Sequence, residues 1–241
     1  MSSRSIRGTL IVAAIATSIQ ASAGSFQDDF ANSLNPTFWT VAQTTNNLYN
    51  VNTNAGTLNF ARSAASSTIG FQAVNAVLSL PALGGNITGD FSTQVDFSNA
   101  VISGALFNQV QLNVLFTNGD YFLAVHDNFQ SGNNHIFNNN LAQGIALNAG
   151  NSGTFRIQRA GAIVSGFFNN SLLFATTISA PVSEISLSLQ NNGTNDPISV
   201  KFDNFSLTPA TIVGVPAPGG GVLLMAGLAL IIGLARRRAI S

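Results

Sequence analysis

Residues 90–97 read Asp90-Phe91-Ser92-Thr93-Gln94-Val95-Asp96-Phe97, and this stretch decides the fold. Phe91, Thr93, Val95 and Phe97 fall on one side of an extended chain, and Asp90, Ser92, Gln94 and Asp96 on the other. Such a strand buries one face and wets the other. The pattern recurs on both sides of it. Val110, Leu112, Val114 and Phe116 alternate with Gln109, Gln111 and Asn113, and Asn118-Gly119 then turns the chain into Tyr121 to Val125. Phe155 and Ile157 alternate with Arg156 and Gln158, and turns at Arg159–Ala162 and Asn169-Asn170 lead into Ile163–Phe168 and Leu172–Thr176. Ile185, Leu187 and Leu189 alternate with serines, as do Ile198, Val200 and Phe202 with Ser199, Lys201 and Asp203. Earlier, Phe26–Phe30, Leu34–Val41, Val51–Arg62 with a turn at Asn54-Ala55-Gly56, and Phe71–Leu80 also read as strands. Period 2 at this density predicts an all-β protein, an antiparallel β-sandwich with one wet face per sheet. The Asn-rich stretches Asn128–Asn140 and Asn148–Gly153 are expected to be loops.

The ends of the chain read differently. Arg4 and Arg7 precede an apolar run from Gly8 to Ile19, and Ala21-Ser22-Ala23 supplies the small residues that signal peptidase accepts. Residues 1–23 are therefore expected to be a signal peptide cut between Ala23 and Gly24, with Ala21 and Ala23 in the recognition positions. Residues 24–212 form the sandwich domain, and residues 213–241 a separate tail. In that tail Gly219 to Ala235 carries no charge, which as a helix rises roughly 25 Å, at the short end of a membrane span. Arg236, Arg237 and Arg238 close it, and a basic cluster there favours the cytoplasmic side.

Charge and composition narrow the function classes. Charged residues make up 7% of the chain against a usual share of about 25%. Of the nine basic residues only Arg62, Arg156, Arg159 and Lys201 lie in the body, together with all nine acidic ones, a net charge of −5. A basic footprint for nucleic acid is missing. There is no cysteine, so thiol chemistry and cysteine metal sites are excluded. Asn, Ser, Thr and Gln supply the polar surface, which suits an extracellular protein and can hydrogen-bond sugars.

The search for chemistry returns little. A retaining glycosidase needs two carboxylates about 5 Å apart. Asp28 and Asp29 are adjacent and would point to opposite faces, Asp90 and Asp96 stand about 20 Å apart along one strand, and Glu184 has no acidic neighbour. Carboxylates from different strands could still meet. His126 and His135 are read as solvated loop histidines. No cofactor is expected; Asp120, Asp127, Asp196 and Asp203 could bind calcium through loop oxygens, without EF-hand spacing. Trp39 and Tyr49 could stack on sugar rings, although Leu34, Phe38 and Val41 around Trp39 look like core. No catalytic residue and no metal ligand is assigned, and the chain is expected not to be an enzyme.

Val215-Pro216-Ala217-Pro218, the apolar run 219–235 and the cluster Arg236–Arg238 together resemble the C-terminal sorting tail of exosortase substrates in Gram-negative bacteria, the PEP-CTERM class. Ala217 stands where the usual glutamate lies between the prolines, a V-P-x-P variant. The resemblance implies export, an exosortase-type processing enzyme and signal peptidase as partners, and a transient or retained C-terminal membrane anchor. It places the protein at the cell envelope, outer surface or extracellular matrix. The body resembles a concanavalin A-like (laminin G-like) jelly roll, on D-D-F…L-N-P-T-F-W at Asp28–Trp39, I-T-G-D-F-S-T-Q-V at Ile87–Val95, F-R-I-Q-R-A-G at Phe155–Gly161 and F-D-N-F-S-L at Phe202–Leu207. In glucanases of that family the catalytic carboxylates form a Glu-x-Asp-x-Glu-like cluster on one strand, and no such cluster occurs in this sequence. The expected function is a structural or adhesive role in an extracellular polysaccharide matrix. The alternative is a carbohydrate-binding module, and a glycosidase is the third reading.

Overall fold

The computed structural model describes residues 25–44, 48–62, 71–102, 108–128, 134–139, 141–146, 150–192, 197–209 and 212–213. In chain order the strands are β1 (Phe26–Asp28), β2 (Trp39–Gln43), β3 (Tyr49–Asn54), β4 (Thr57–Arg62), β5 (Phe71–Leu78), β6 (Asn86–Ile87), β7 (Phe91–Val101), β8 (Gln109–Phe116) and β9 (Tyr121–Asp127). They continue as β10 (Asn134–Asn138), β11 (Leu141–Ala146), β12 (Gly153–Ala160), β13 (Ile163–Phe168), β14 (Ser171–Thr177), β15 (Val182–Asn192), β16 (Ile198–Pro209) and β17 (Ile212–Val213). The one helical turn among the described residues is a 3-10 turn at Leu80–Leu83, started by Pro81 and closed by Gly84 in the left-handed region.

Two antiparallel sheets result. The first has the order β14-β13-β12-β7-β16-β4-β3, with β1 also on β16; the second has the order β11-β10-β9-β8-β15-β5-β2, with β6 and β17 attached near β15. The all-β sandwich expected from the alternation is the architecture found. Its core is one contiguous cluster from both inner faces, including Phe60, Val95, Phe97, Phe155, Phe202 and Leu207 from the first sheet and Val74, Leu112, Val114, Phe122 and Leu187 from the second. Phe97 stacks on Phe155 at 4.6 Å between centroids and lies 5.1 Å from the ring of His126 on the opposite sheet. Trp39 of β2 meets Phe205 of β16 edge to face at 5.0 Å, a second tie between the sheets. The sheets approach closely enough at β13 that a Cβ on Gly166 would come within 2.5 Å of Ile136 and 2.8 Å of Phe122. Only glycine fits there.

Turn chemistry follows the sequence. Ala55 and Gly56 both have positive φ, the signature of the two-residue hairpin turn between β3 and β4. Asn169 and Asn170 do the same between β13 and β14. Asn204, at φ 51, breaks the alternation of β16 with a register shift between Asp203 and Ser206, which returns Phe205 and Leu207 to the core after Phe202.

Three expectations need correction. Within Asn128–Asn140, residues Asn134–Asn138 form strand β10 rather than a loop, pairing with β9 and β11. His126 is not solvated: it lies on β9 at 2% exposure, with Nδ1 3.1 Å from Asn134 Oδ1. The second sheet also lacks a fully wet outer face, because its outward polar side chains are largely buried. The signal-peptide residues Ala21, Ala23 and Gly24, the motif Val215–Pro218, the apolar run 219–235 and Arg236–Arg238 all lie outside the described residues. Among the described residues no helix is long and apolar enough to cross a membrane.

The core places one titratable group under tension. Tyr49 is buried and donates its hydroxyl to the Gln72 carbonyl at 3.0 Å; burial pushes its phenol up to about 12, with the Arg62 charge acting in the opposite sense. Below pH 10 the phenol is neutral folded and unfolded, so the contribution to stability is complete there. Between pH 10 and 12 the unfolded chain ionises first, and stability is lost as pH rises. Urea unfolding across that window is expected to show an alkaline loss of about 2–3 kcal/mol in the native protein that Tyr49→Phe lacks. An equal loss in both would remove Tyr49 as the cause.

Candidate functional site

The outer face of the second sheet is built from the alternate residues of its central strands. On β8 these are Gln109, Gln111, Asn113 and Leu115, because Val110, Leu112 and Val114 fill the core. Register carries the face sideways. Gln111 lies opposite Ser188 of β15 and Val125 of β9, and Asn113 opposite Ser186 and Leu123. Ser188 in turn lies opposite Asn75 of β5. A continuous row of amides and hydroxyls crosses three strands, β8, β15 and β5, and ends at the apolar Val125 and Leu123 of β9.

These side chains are tied to one another. Gln111 Nε2 donates to Gln109 Oε1 at 2.6 Å, Gln190 Nε2 to Gln111 Oε1 at 2.9 Å, and Asn113 Nδ2 to Ser186 Oγ at 3.4 Å. Gln111, Asn113, Ser186 and Ser188 are 2%, 7%, 2% and 0% exposed, although they point away from the core. Gln109, Gln190 and Asn75 around them are half-buried. Asn113 Oδ1 and Ser188 Oγ are buried and have no hydrogen-bond partner among the described residues. Leaving such atoms unpaired costs about 1–3 kcal/mol each. Both atoms are sealed from solvent, so the groups a hydroxyl-bearing ligand would meet on this face are the half-buried amides of Gln109, Gln190 and Asn75.

The spacing Gln109-x-Gln111-x-Asn113 is that of the glucanase cluster described above, with amides at all three positions. Amides donate and accept but hold no transferable proton. Acidic groups on this face are at its ends: Glu184 opposite Leu115, and Asp127 opposite Gln109. Six residues of β8 separate those rows, about 20 Å.

The other carboxylates lie elsewhere. Asp96 and Asp203 are register partners on the outer face of the first sheet, a meeting of two strands that spacing along one strand could not reveal. Asp96 accepts the Thr154 hydroxyl at 2.5 Å and the Asn204 amide at 2.9 Å, so it pins the β16 bulge to β12. Asp28 accepts the Trp39 indole N–H at 2.8 Å and the Phe30 N–H at 2.8 Å, and Asp29 the Ala31 N–H at 3.0 Å. Trp39 and Tyr49 are buried core residues, 3% and 4% exposed, and present no ring to a sugar. Asp120 is held in the β8–β9 turn by Asn118 and Asn139. Asp196 lies outside the described residues. Among the described residues no three His, Asp or Glu side chains gather as metal ligands.

One cation is built into the frame. Arg159, 3% exposed, donates to the carbonyls of Gly89, Ile87 and Ala180, and lies over the ring of Phe91. Burial lowers its pKa and the Asp90 charge raises it. It ties β12 to the approach of β7, and is structural.

No protein-family model matches the chain, and no curated protein does. Solved structures do. A Bacillus licheniformis β-glucanase matches with a TM-score of 0.53 at 14% identity, covering 77% of this chain and 98% of that one. The lectin UEA-II, complexed with galactose, matches with a TM-score of 0.52 at 9% identity, covering 78% and 99%. A sialidase matches at 0.51 and 10% identity over 79% of this chain, which spans 19% of that protein's length. At these identities the likeness speaks to fold, and the fold is the concanavalin A-like jelly roll of lectins and glycosidases. The expectation that the chain is not an enzyme is corrected by the same comparison. Most of the matched structures named are glycoside hydrolases or lyases, among them an endo-β-galactosidase and an alginate lyase. Carboxylates of different strands do meet in this sandwich, as the Asp96–Asp203 register pair shows.

The unpaired hydroxyl gives a stability test. Ser188→Ala is expected to leave the unfolding free energy unchanged or raise it by up to about 1 kcal/mol, since it removes a buried polar atom without breaking a bond. A loss beyond about 1 kcal/mol in denaturant unfolding would mean that Ser188 Oγ is satisfied in the folded protein.

Proposed function

We propose that this protein is exported and recognises polysaccharide through the outer face of its second sheet, in a structural or adhesive role within an extracellular matrix. The observation that carries the reading is the row Gln109–Gln111–Asn113 with Ser186, Ser188 and Gln190, where buried amides hold the half-buried Gln109 and Gln190 in place at the surface. The middle of the row is uncharged, which favours neutral, hydroxyl-rich chains over uronates or phosphate-bearing ones. Lectins and glycosidases among proteins of this fold make carbohydrate the natural ligand class to test. Binding of the full chain to a polysaccharide array is expected to favour neutral glycans and to weaken at least tenfold in Gln111→Ala. Absence of binding to any polysaccharide would end this reading. Release of reducing ends from a bound glycan, lost in Glu184→Gln, would instead make the face an active site.

Export rests on the terminal residues. The signal peptide 1–23 is proposed to be cut after Ala23, and the tail 213–241 to be read by an exosortase-type enzyme at Val215–Pro218, with 219–235 in the membrane until processing. Co-expression with and without an exosortase is expected to give a shortened C-terminus only when the enzyme is present. The same tail in both strains would sink this part.

A further inference from the structure

Strand β3 ends the first sheet, and among the described residues it pairs only with β4. Its hairpin turn at Ala55-Gly56 makes Asn54 and Thr57 the closing hydrogen-bonded pair. Alternate residues then bond inward, so Asn50 and Asn52 face β4 through their backbones, while Tyr49, Val51 and Thr53 turn N–H and C=O outward. Tyr49's outward pair is already taken. The Gln43 carboxamide accepts from its N–H and donates to its carbonyl, both at 3.1 Å, as a neighbouring strand would. Among the described residues Val51 and Thr53 remain as two free rungs. Beside them runs a cleft of ≈ 590 Å³ lined by Ser33, Leu34, Val41, Val51, Asn52 and Thr53, with no charged group and with Val41 40% exposed.

Nothing on β3 blunts this edge. It carries no lysine, proline or bulge, the usual devices against strand addition. On its outer face Asn50, Asn52 and Asn54 are exposed, and Asn52 Oδ1 already accepts from Asn59 Nδ2 on β4 at 3.2 Å.

We infer that β3 is a self-association edge, pairing antiparallel with β3 of a second copy of this chain about a two-fold axis at Asn52. The register follows from the free rungs. Val51 opposite Thr53 of the second copy, and the reverse, uses both rungs and makes four backbone hydrogen bonds. Setting Val51 opposite its own equivalent would drive Thr53 onto Tyr49, which Gln43 already occupies. In the register chosen, Asn52 faces its equivalent and Asn50 faces Asn54. Carboxamides are self-complementary donors and acceptors, so the Asn59–Asn52 ladder extends across the axis. An uncharged strand meets its copy without repulsion.

The chain contains no cysteine, so single cysteines report the register directly. Asn52 and its equivalent form a non-hydrogen-bonded pair, with Cα atoms about 4.5 Å apart, within disulfide range. Oxidation of the full chain is expected to give covalent dimers with Asn52→Cys. Asn50→Cys and Asn54→Cys should cross-link when mixed but not alone, and Ser171→Cys, on the exposed edge β14, should not cross-link. Val51→Pro with Thr53→Pro removes two outward N–H donors at positions an edge strand tolerates, and should weaken dimerisation at least tenfold by sedimentation. Cross-linking that is equal at Ser171→Cys, or absent at Asn52→Cys while the chain sediments as a monomer, would overturn the inference. The cysteine results decide the matter if the double proline variant does not fold.

Discussion

The ring of Phe97 is where the two sheets become one structure. It stacks on Phe155 within its own sheet and meets His126 from the other, so β7, β12 and β9 are fixed by one residue. The rest of the sandwich grows outward from that contact. β16 packs on the other side of β7, its Phe202 is the register partner of Phe97, and Phe205 carries the core on to Trp39. A chain without disulfides must gain its stability from such burial, and eighteen phenylalanines give it the means.

The same constraint explains the amide face. Once Val110, Leu112 and Val114 are committed to the core, Gln109, Gln111 and Asn113 have to point outward on a central strand. Flanked by β9 and β15 they cannot spread into water, and they bond to one another instead. That arrangement is rigid, and it leaves Asn113 Oδ1 and Ser188 Oγ unpaired. A protein selected for stability alone would place alanine or leucine at such positions. Two buried polar atoms without partners among the described residues make this face costly to stability.

Much of this was legible in the sequence, and the reasons for the remainder are physical. β7, β8 and the hairpin after it announce themselves by strict alternation and by Asn118-Gly119. Strand β10 is hidden because asparagines at Asn134 and Asn138 look like turn residues, although pairing with β9 on one side and β11 on the other satisfies their backbones. The polar neighbours of His126 suggest a solvated loop; its burial depends on Phe97, some thirty residues earlier and on the other sheet. The spacing Phe202-x-x-Phe205 contradicts period 2 unless Asn204 takes a positive φ, which asparagine tolerates better than most residues. The amide row was visible as polar residues, but its burial and its joining to Ser186 and Ser188 are matters of register between distant strands.

Composition and edge behaviour are linked through charge. With 7% charged residues, most of the arginines placed in the terminal segments, the body has one lysine to distribute over its surface, and Lys201 is on β16, inside a sheet. The commonest guard against strand addition is therefore not to hand. Gln43 covers one rung of β3 with a carboxamide, a neutral substitute that reaches a single residue. Beyond its reach, among the described residues, Val51 and Thr53 have no strand on their outward side, and the asparagines flanking them carry self-complementary carboxamides. A surface that avoids charge in favour of amides keeps its hydrogen-bonding capacity and gives up the charge repulsion that would hold like edges apart.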